Sequence, residues 1–88
     1  MREQPVALIT AASKGMGAGC ARELASRGYR VSLLARSPDV EQLARELGGG
    51  ATRGNLDSAE DLERFVKETL DAYGRIDAVV NNTGNPPK

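Results

Sequence analysis

The residues with the clearest chemical potential stand early in the chain. Thr10-Ala-Ala-Ser13-Lys14-Gly15-Met16-Gly17 is a glycine-rich turn between a short apolar run and a stretch of helical spacing. Such a turn aims backbone N–H groups and the positive end of a helix dipole at one point, which suits an anionic pyrophosphate. Glycine belongs there because a Cβ would hold the phosphates away from the backbone. Gly15 and Gly17 fill the first two places of the general G-x-G-x-x-G pattern, whereas its third place holds Cys20. Arg36 follows nineteen residues after Gly17, with Ser37 next to it. An acid in that region would accept from an adenosine ribose 2′-hydroxyl and repel a 2′-phosphate. A guanidinium does the reverse, through charge-assisted and often bidentate bonds to the phosphate. The alternative is that Lys14 and Arg36 are two solvated surface cations.

The elements that must position these groups follow from periodicity. Val6–Thr10 is an apolar run bounded by Pro5 and the turn, as expected of a strand buried on both faces. Gly17–Arg27 has helical spacing, with Cys20 and Leu24 four apart, Ala21 and Ala25 beside them, and Gly28 as the stop. Arg30–Ala35 reads as a second strand. Ser37 and Pro38 open a helix as N-cap and first helical residue, with Val40, Leu43, Ala44 and Leu47 as its core stripe and Gly48-Gly49-Gly50 as its end. Residues 51–56 form a weak third strand. Ser58 to Asp61 resembles a capping box, and Leu62, Phe65, Val66, Thr69 and Leu70 form the stripe of a helix that Gly74 stops. Residues 76–80 give a fourth strand. The order β-α-β-α-β-α-β with short connections implies an α/β fold with a parallel sheet and right-handed crossovers. Three helices can hardly cover four strands that are apolar on both faces, and the last strand would be an open edge. The chain reads as half of a domain.

Composition narrows the possibilities. At 88 residues the chain buries only about 60% of its unfolded surface. Its single cysteine, Cys20, has no disulfide partner, and no histidine is present, which argues against a zinc site and fits a reducing, cytoplasmic setting. Cys20 lies on the apolar stripe of the first helix and reads as core. Twelve basic and twelve acidic residues cancel, and only Tyr29, Phe65 and Tyr73 are aromatic, so the basic, aromatic-bearing face of a nucleic-acid binder is lacking. No apolar run has the length of a signal peptide or a membrane span.

Three further stretches, taken with the glycine turn, carry a family resemblance. The turn resembles the T-G-x-x-x-G-x-G loop of the short-chain dehydrogenase/reductase family, with Ala11 for the first glycine and Met16 for the usual isoleucine. Lys14 resembles the second basic position of NADP-dependent members. Asn55 and Leu56 stand where the family has an Asp-Val or Asp-Leu pair that reads the adenine edge, and an amide oxygen can still accept from the adenine amino group. Gly74-Arg-Ile-Asp-Ala-Val-Val-Asn81-Asn-Thr-Gly84 is similar to the family's G-x-I-D-x-L-V-N-N-A-G stretch. The resemblance implies a Rossmann-type doubly wound parallel sheet, present as the first half of the domain over residues 1–88. It implies NADP(H) held by Thr10, Ser13, Lys14, Gly15, Met16, Gly17, Arg36, Ser37, Asn55, Leu56, Asn81 and Gly84.

The family moves hydride between the nicotinamide and a small carbonyl or alcohol, with a Tyr-x-x-x-Lys pair as acid or base. Leu33 and Asp77 stand four residues beyond Tyr29 and Tyr73, so neither tyrosine belongs to such a pair. No catalytic residue is therefore assigned, and the 88-residue chain alone is expected to be inactive. Its expected partners are the remainder of its own domain, as in a nicked longer chain that ended at a trypsin-like Lys88 cleavage, and further copies in a homo-oligomer. A reductase of 3-oxoacyl thioesters is the commonest role of such sequences. The competing reading is a non-catalytic nucleotide-binding redox sensor, and a Tyr-x-x-x-Lys pair downstream would decide between the two.

Overall fold

Every residue of Val6–Thr10 is buried, a condition that only a strand inside a sheet covered on both faces can meet. The computed structural model, which describes residues 4–10, 15–55 and 57–80, places this strand, β1, between two neighbours. The elements are β1 (Val6–Thr10), α1 (Gly15–Ser26), β2 (Arg30–Ala35), α2 (Asp39–Leu47), β3 (Gly50–Arg53), α3 (Ala59–Tyr73) and β4 (Ala78–Val80). All pairings are parallel and the sheet order is β3-β2-β1-β4. This is the α/β architecture that the alternation of the sequence implied.

Alternation along the strands divides the core into two layers. Ile9, Val31, Leu33 and Ala35 face α1 and α2, packing on Ala18, Ala21, Val40, Leu43 and Ala44. Leu8 and Leu34 face the other way, onto Phe65 of α3, with Leu62 and Ile76 at the margin. Among the described residues, two helices thus cover one face and a single helix the other. The shortfall is visible: Val66 and Leu70 of α3 are 37% and 44% exposed, and Val79 of the edge strand β4 is 62% exposed. Val79 is the register partner of Leu8 and shares its face.

A polar link ties α3 to the sheet. Thr69 Oγ1 donates to Phe65 O at 2.8 Å and lies 2.6 Å from Ser32 Oγ, both hydroxyls being buried. At the amino ends of the strands, Asp77 takes the Val6 N–H on its carboxylate and donates its own N–H to Val6 O, both at 2.8 Å. The Arg75 guanidinium bonded to Asp77, followed by that Val6 N–H, holds its carboxyl below the ordinary aspartate range.

Element ends differ in detail from the sequence reading. Helix α1 starts two residues earlier, at Gly15. Pro38 rather than Ser37 takes the N-cap place of α2, although its dihedrals (φ −62°, ψ −14°) are already helical, and Ser37 Oγ still accepts the Asp39 N–H at 3.2 Å, the kind of bond a capping serine makes. The glycine triplet divides its labour: Gly48 closes α2 at φ 71°, and a Cβ on Gly49 would collide with Val31 O. Gly50 already belongs to β3, which ends at Arg53 instead of residue 56. Ser58 caps α3 by accepting the Asp61 N–H at 3.2 Å, but the Asp61 carboxylate does not return to Ser58. It reaches Asn55 N–H instead, at 2.8 Å, which pulls the chain out of the sheet after β3. Strand β4 is shorter than expected, beginning at Ala78.

Replacing Thr69 by valine leaves the Ser32 hydroxyl buried without a partner. The expected loss is about 1–3 kcal/mol, and part of it should return in the Ser32→Ala/Thr69→Val double variant. Urea unfolding followed by circular dichroism checks both.

Candidate nucleotide site

The sheet order sets where a ligand can enter. From β1 the chain steps outward through β2 to β3, then β4 returns to the opposite flank of β1. In an open parallel sheet the crevice at the carboxyl ends of the strands, where the order reverses, is the natural binding position. Here that crevice lies between the ends of β1 and β4, which a long hydrogen bond links: Thr10 Oγ1 donates to Val80 O at 3.4 Å. Thr10 is itself buried.

Helix α1 begins just beyond the end of β1, and Gly17 and Ala18 of its first turn are buried against the sheet. The other two helices carry acids in their first turns, Asp39 and Glu41 in α2 and Glu60 and Asp61 in α3, while α1 carries none. Its positive dipole end is therefore left for an anion rather than compensated from within the helix.

On the β3 side of the crevice the strand ends open into a shallow cleft of about 400 Å³, lined by Arg36, Arg53, Gly54, Asn55 and Asp61. Arg36 is exposed. Asn55 is held as a turn residue: its Oδ1 accepts the Asp57 N–H at 2.9 Å and its carbonyl accepts the Ser58 N–H at 3.0 Å. The amide oxygen expected to read adenine is thus half engaged, leaving one lone pair and the NH₂ group to a ligand. Ser37 sits beside the cleft, its hydroxyl oxygen engaged at the start of α2. Two lining residues, Arg53 and Asp61, are not among the ligand contacts the sequence suggests; Asp61 figures there only in the capping box. Asp61 builds the cleft wall, because its Oδ2 fixes Asn55 while its Oδ1 pairs with Arg64 Nη1 at 3.1 Å.

Of the residues expected to hold a cofactor, Thr10, Gly15, Met16 and Gly17 therefore lie along the end of β1 and the start of α1, and Arg36, Ser37 and Asn55 lie at the ends of β2 and β3. Ser13, Lys14, Leu56, Asn81 and Gly84 lie outside the described residues. Cys20 is partly buried on α1. The Tyr73 ring lies 5.2 Å from the guanidinium of Arg30, the first residue of β2, and so belongs to the amino end of the sheet, away from the crevice. Among the described residues no group of three or more acids, cysteines or histidines could hold a metal, and no helix is long and apolar enough to cross a membrane. Guanidiniums, an amide and an acid-free helix start fit a phosphorylated nucleoside.

Comparison with known proteins agrees with this geometry. Residues 5–88 match the short chain dehydrogenase family, and the chain belongs to it. It is 38% identical over 88 residues to 11-beta-hydroxysteroid dehydrogenase-like 2 of Arabidopsis thaliana, covering 92% of this chain and 29% of that protein. Among solved structures, an actinorhodin polyketide ketoreductase variant with NADPH superposes with a TM-score of 0.86 at 31% identity, over 94% of this chain and 34% of that one. The 3-ketoacyl-(acyl-carrier-protein) reductase of Brucella melitensis complexed with NADH gives a TM-score of 0.83 at 30% identity, over 88% of this chain and 33% of that one. The chain thus spans about a third of the length of the proteins it resembles.

Removing the Asp61 carboxylate, as in Asp61→Ala, frees Asn55 and is expected to cost about 1–3 kcal/mol in denaturant unfolding. Arg64→Ala, which removes solvent-facing ion pairs to Asp61 and Glu68 and a bond to the Arg53 carbonyl, should cost about 1 kcal/mol or less.

Proposed function

We propose that this chain is the NADP(H)-binding first half of an oxidoreductase that interconverts a small carbonyl compound and its alcohol. The observation that carries the cofactor choice is Arg36, exposed at the carboxyl end of β2 and lining the cleft shared with Asn55. A cation in that place favours a 2′-phosphate, where an acid would favour the free ribose. The turn before α1 would take the pyrophosphate, with Lys14 as a second cation, and Asn55 and Leu56 would meet the adenine. Bound NADPH would supply the hydride. The chain's own part is to hold and orient the nucleotide, since its tyrosines lack the lysine four residues on.

Catalysis then requires further polypeptide. The exposed Val79 of β4, and Val66 and Leu70 of α3, are where the next strand and helix of the domain would pack. The completed enzyme would be a cytoplasmic homo-oligomer. A 3-oxoacyl thioester is the substrate class we favour, because ketoacyl reductases recur among the structural relatives.

Calorimetric titration of the chain with NADPH and NADH tests the reading. NADPH should bind more tightly by about tenfold or more, and Arg36→Ala should remove most of that difference while leaving NADH binding little changed. Equal affinities in the unaltered protein would contradict it.

A further inference from the structure

We infer that Arg53, together with Arg36, forms a two-arginine grip for a phosphomonoester on the adenosine ribose; this rests on the NADP(H) reading and adds a specificity-determining residue to it. Ala35 and Arg53 are register partners in the parallel pair β2–β3, and the ladder runs one bond further, Gly54 N–H donating to Ala35 O at 3.0 Å. Arg36 follows Ala35, so both arginines leave adjacent strands at the same end. Strands about 4.8 Å apart and a step of about 3.3 Å per residue put their Cα atoms within roughly 6 Å. Both residues are exposed and both line the same cleft.

Their charges are not matched by a carboxylate among the described residues. Arg22, Arg27, Arg64 and Arg75 each pair with a carboxylate at 2.7–3.4 Å; Arg30, Arg36, Arg45 and Arg53 make no ion pair among the described residues, and of these four Arg36 and Arg53 line the cleft. The one acid of the cleft, Asp61, is committed on both oxygens, to Asn55 N–H and to Arg64. Arg53 is also fixed in place, because its carbonyl accepts from Arg64 Nη2 at 2.7 Å. Two guanidiniums lining one cleft repel each other until an anion sits between them. A phosphate dianion, with three acceptor oxygens, matches two planar forks, while a ribose hydroxyl would leave the second cation unanswered.

Adenosine 2′,5′-bisphosphate and adenosine 5′-monophosphate separate the 2′-phosphate from the rest of the nucleotide. Both are titrated calorimetrically into the full chain and its Arg53→Ala, Arg36→Ala and Arg45→Ala variants, with circular dichroism confirming that each is folded. Arg45 lies on α2 and does not line the cleft. The unaltered chain should prefer the bisphosphate. Arg53→Ala should lose about tenfold in affinity for it with the monophosphate unchanged, and Arg45→Ala should bind as the unaltered chain does. If only Arg36→Ala weakens the bisphosphate, the role of Arg53 is overturned and the NADP(H) reading stands. If the unaltered chain shows no preference, both fall.

Discussion

Val6, Ala7, Leu8 and Ile9 give β1 no side that water can wet. A strand of this kind must have neighbours in the sheet and cover on both faces, and parallel pairing with helical crossovers supplies both. Once β1 is central, β2 and β3 extend the sheet one way and β4 falls on the other flank, and the reversal of order fixes the crevice at the carboxyl ends. The same burial brings the start of α1 over the end of β1, since Ala18 and Ala21 pack on Ile9 and the β2 residues. Placement of the nucleotide site is thus a consequence of how the most apolar strand is covered.

The two faces of the sheet are not equally finished. Small residues of α1 and the Val40, Leu43 and Ala44 stripe of α2 close one side. On the other side Phe65 is the main apolar contribution of α3, helped by the hydroxyl pair of Ser32 and Thr69. A buried, satisfied hydroxyl pair adds direction more than net stabilisation, so this face relies on few contacts. Val66, Leu70 and Val79 lie beside it in water.

Much of this was legible in the sequence, for identifiable reasons. Strands β1 and β2 announced themselves by continuous apolar runs, and α2 and α3 by their stripes and by glycines that take positive φ at Gly48 and Gly74. Less legible were features set by contacts distant in sequence. Exposure of Val66 and Leu70 depends on what covers α3, not on their helical spacing. The Asp61 carboxylate turned to Asn55 rather than to Ser58, because the chain leaving β3 brought that N–H within reach. Asn55 appeared as a ligand contact in the sequence and is equally a turn residue, its Oδ1 already bonded to Asp57 N–H. Arg53 gave no signal at all: only the register that sets it beside Ala35 makes it a neighbour of Arg36.

Amide chemical-shift mapping by NMR during titration with NADPH addresses the central claim most directly, that the carboxyl ends of β1, β2 and β3 form a nucleotide site. Shifts should concentrate at Thr10, Gly15–Ala18, Arg36–Ser37 and Arg53–Asn55, with Val66, Leu70 and the amino end of the sheet at Arg30 and Asp77 unmoved. Shifts confined to the outer face of α3, or no saturable shifts in a folded chain, would contradict it.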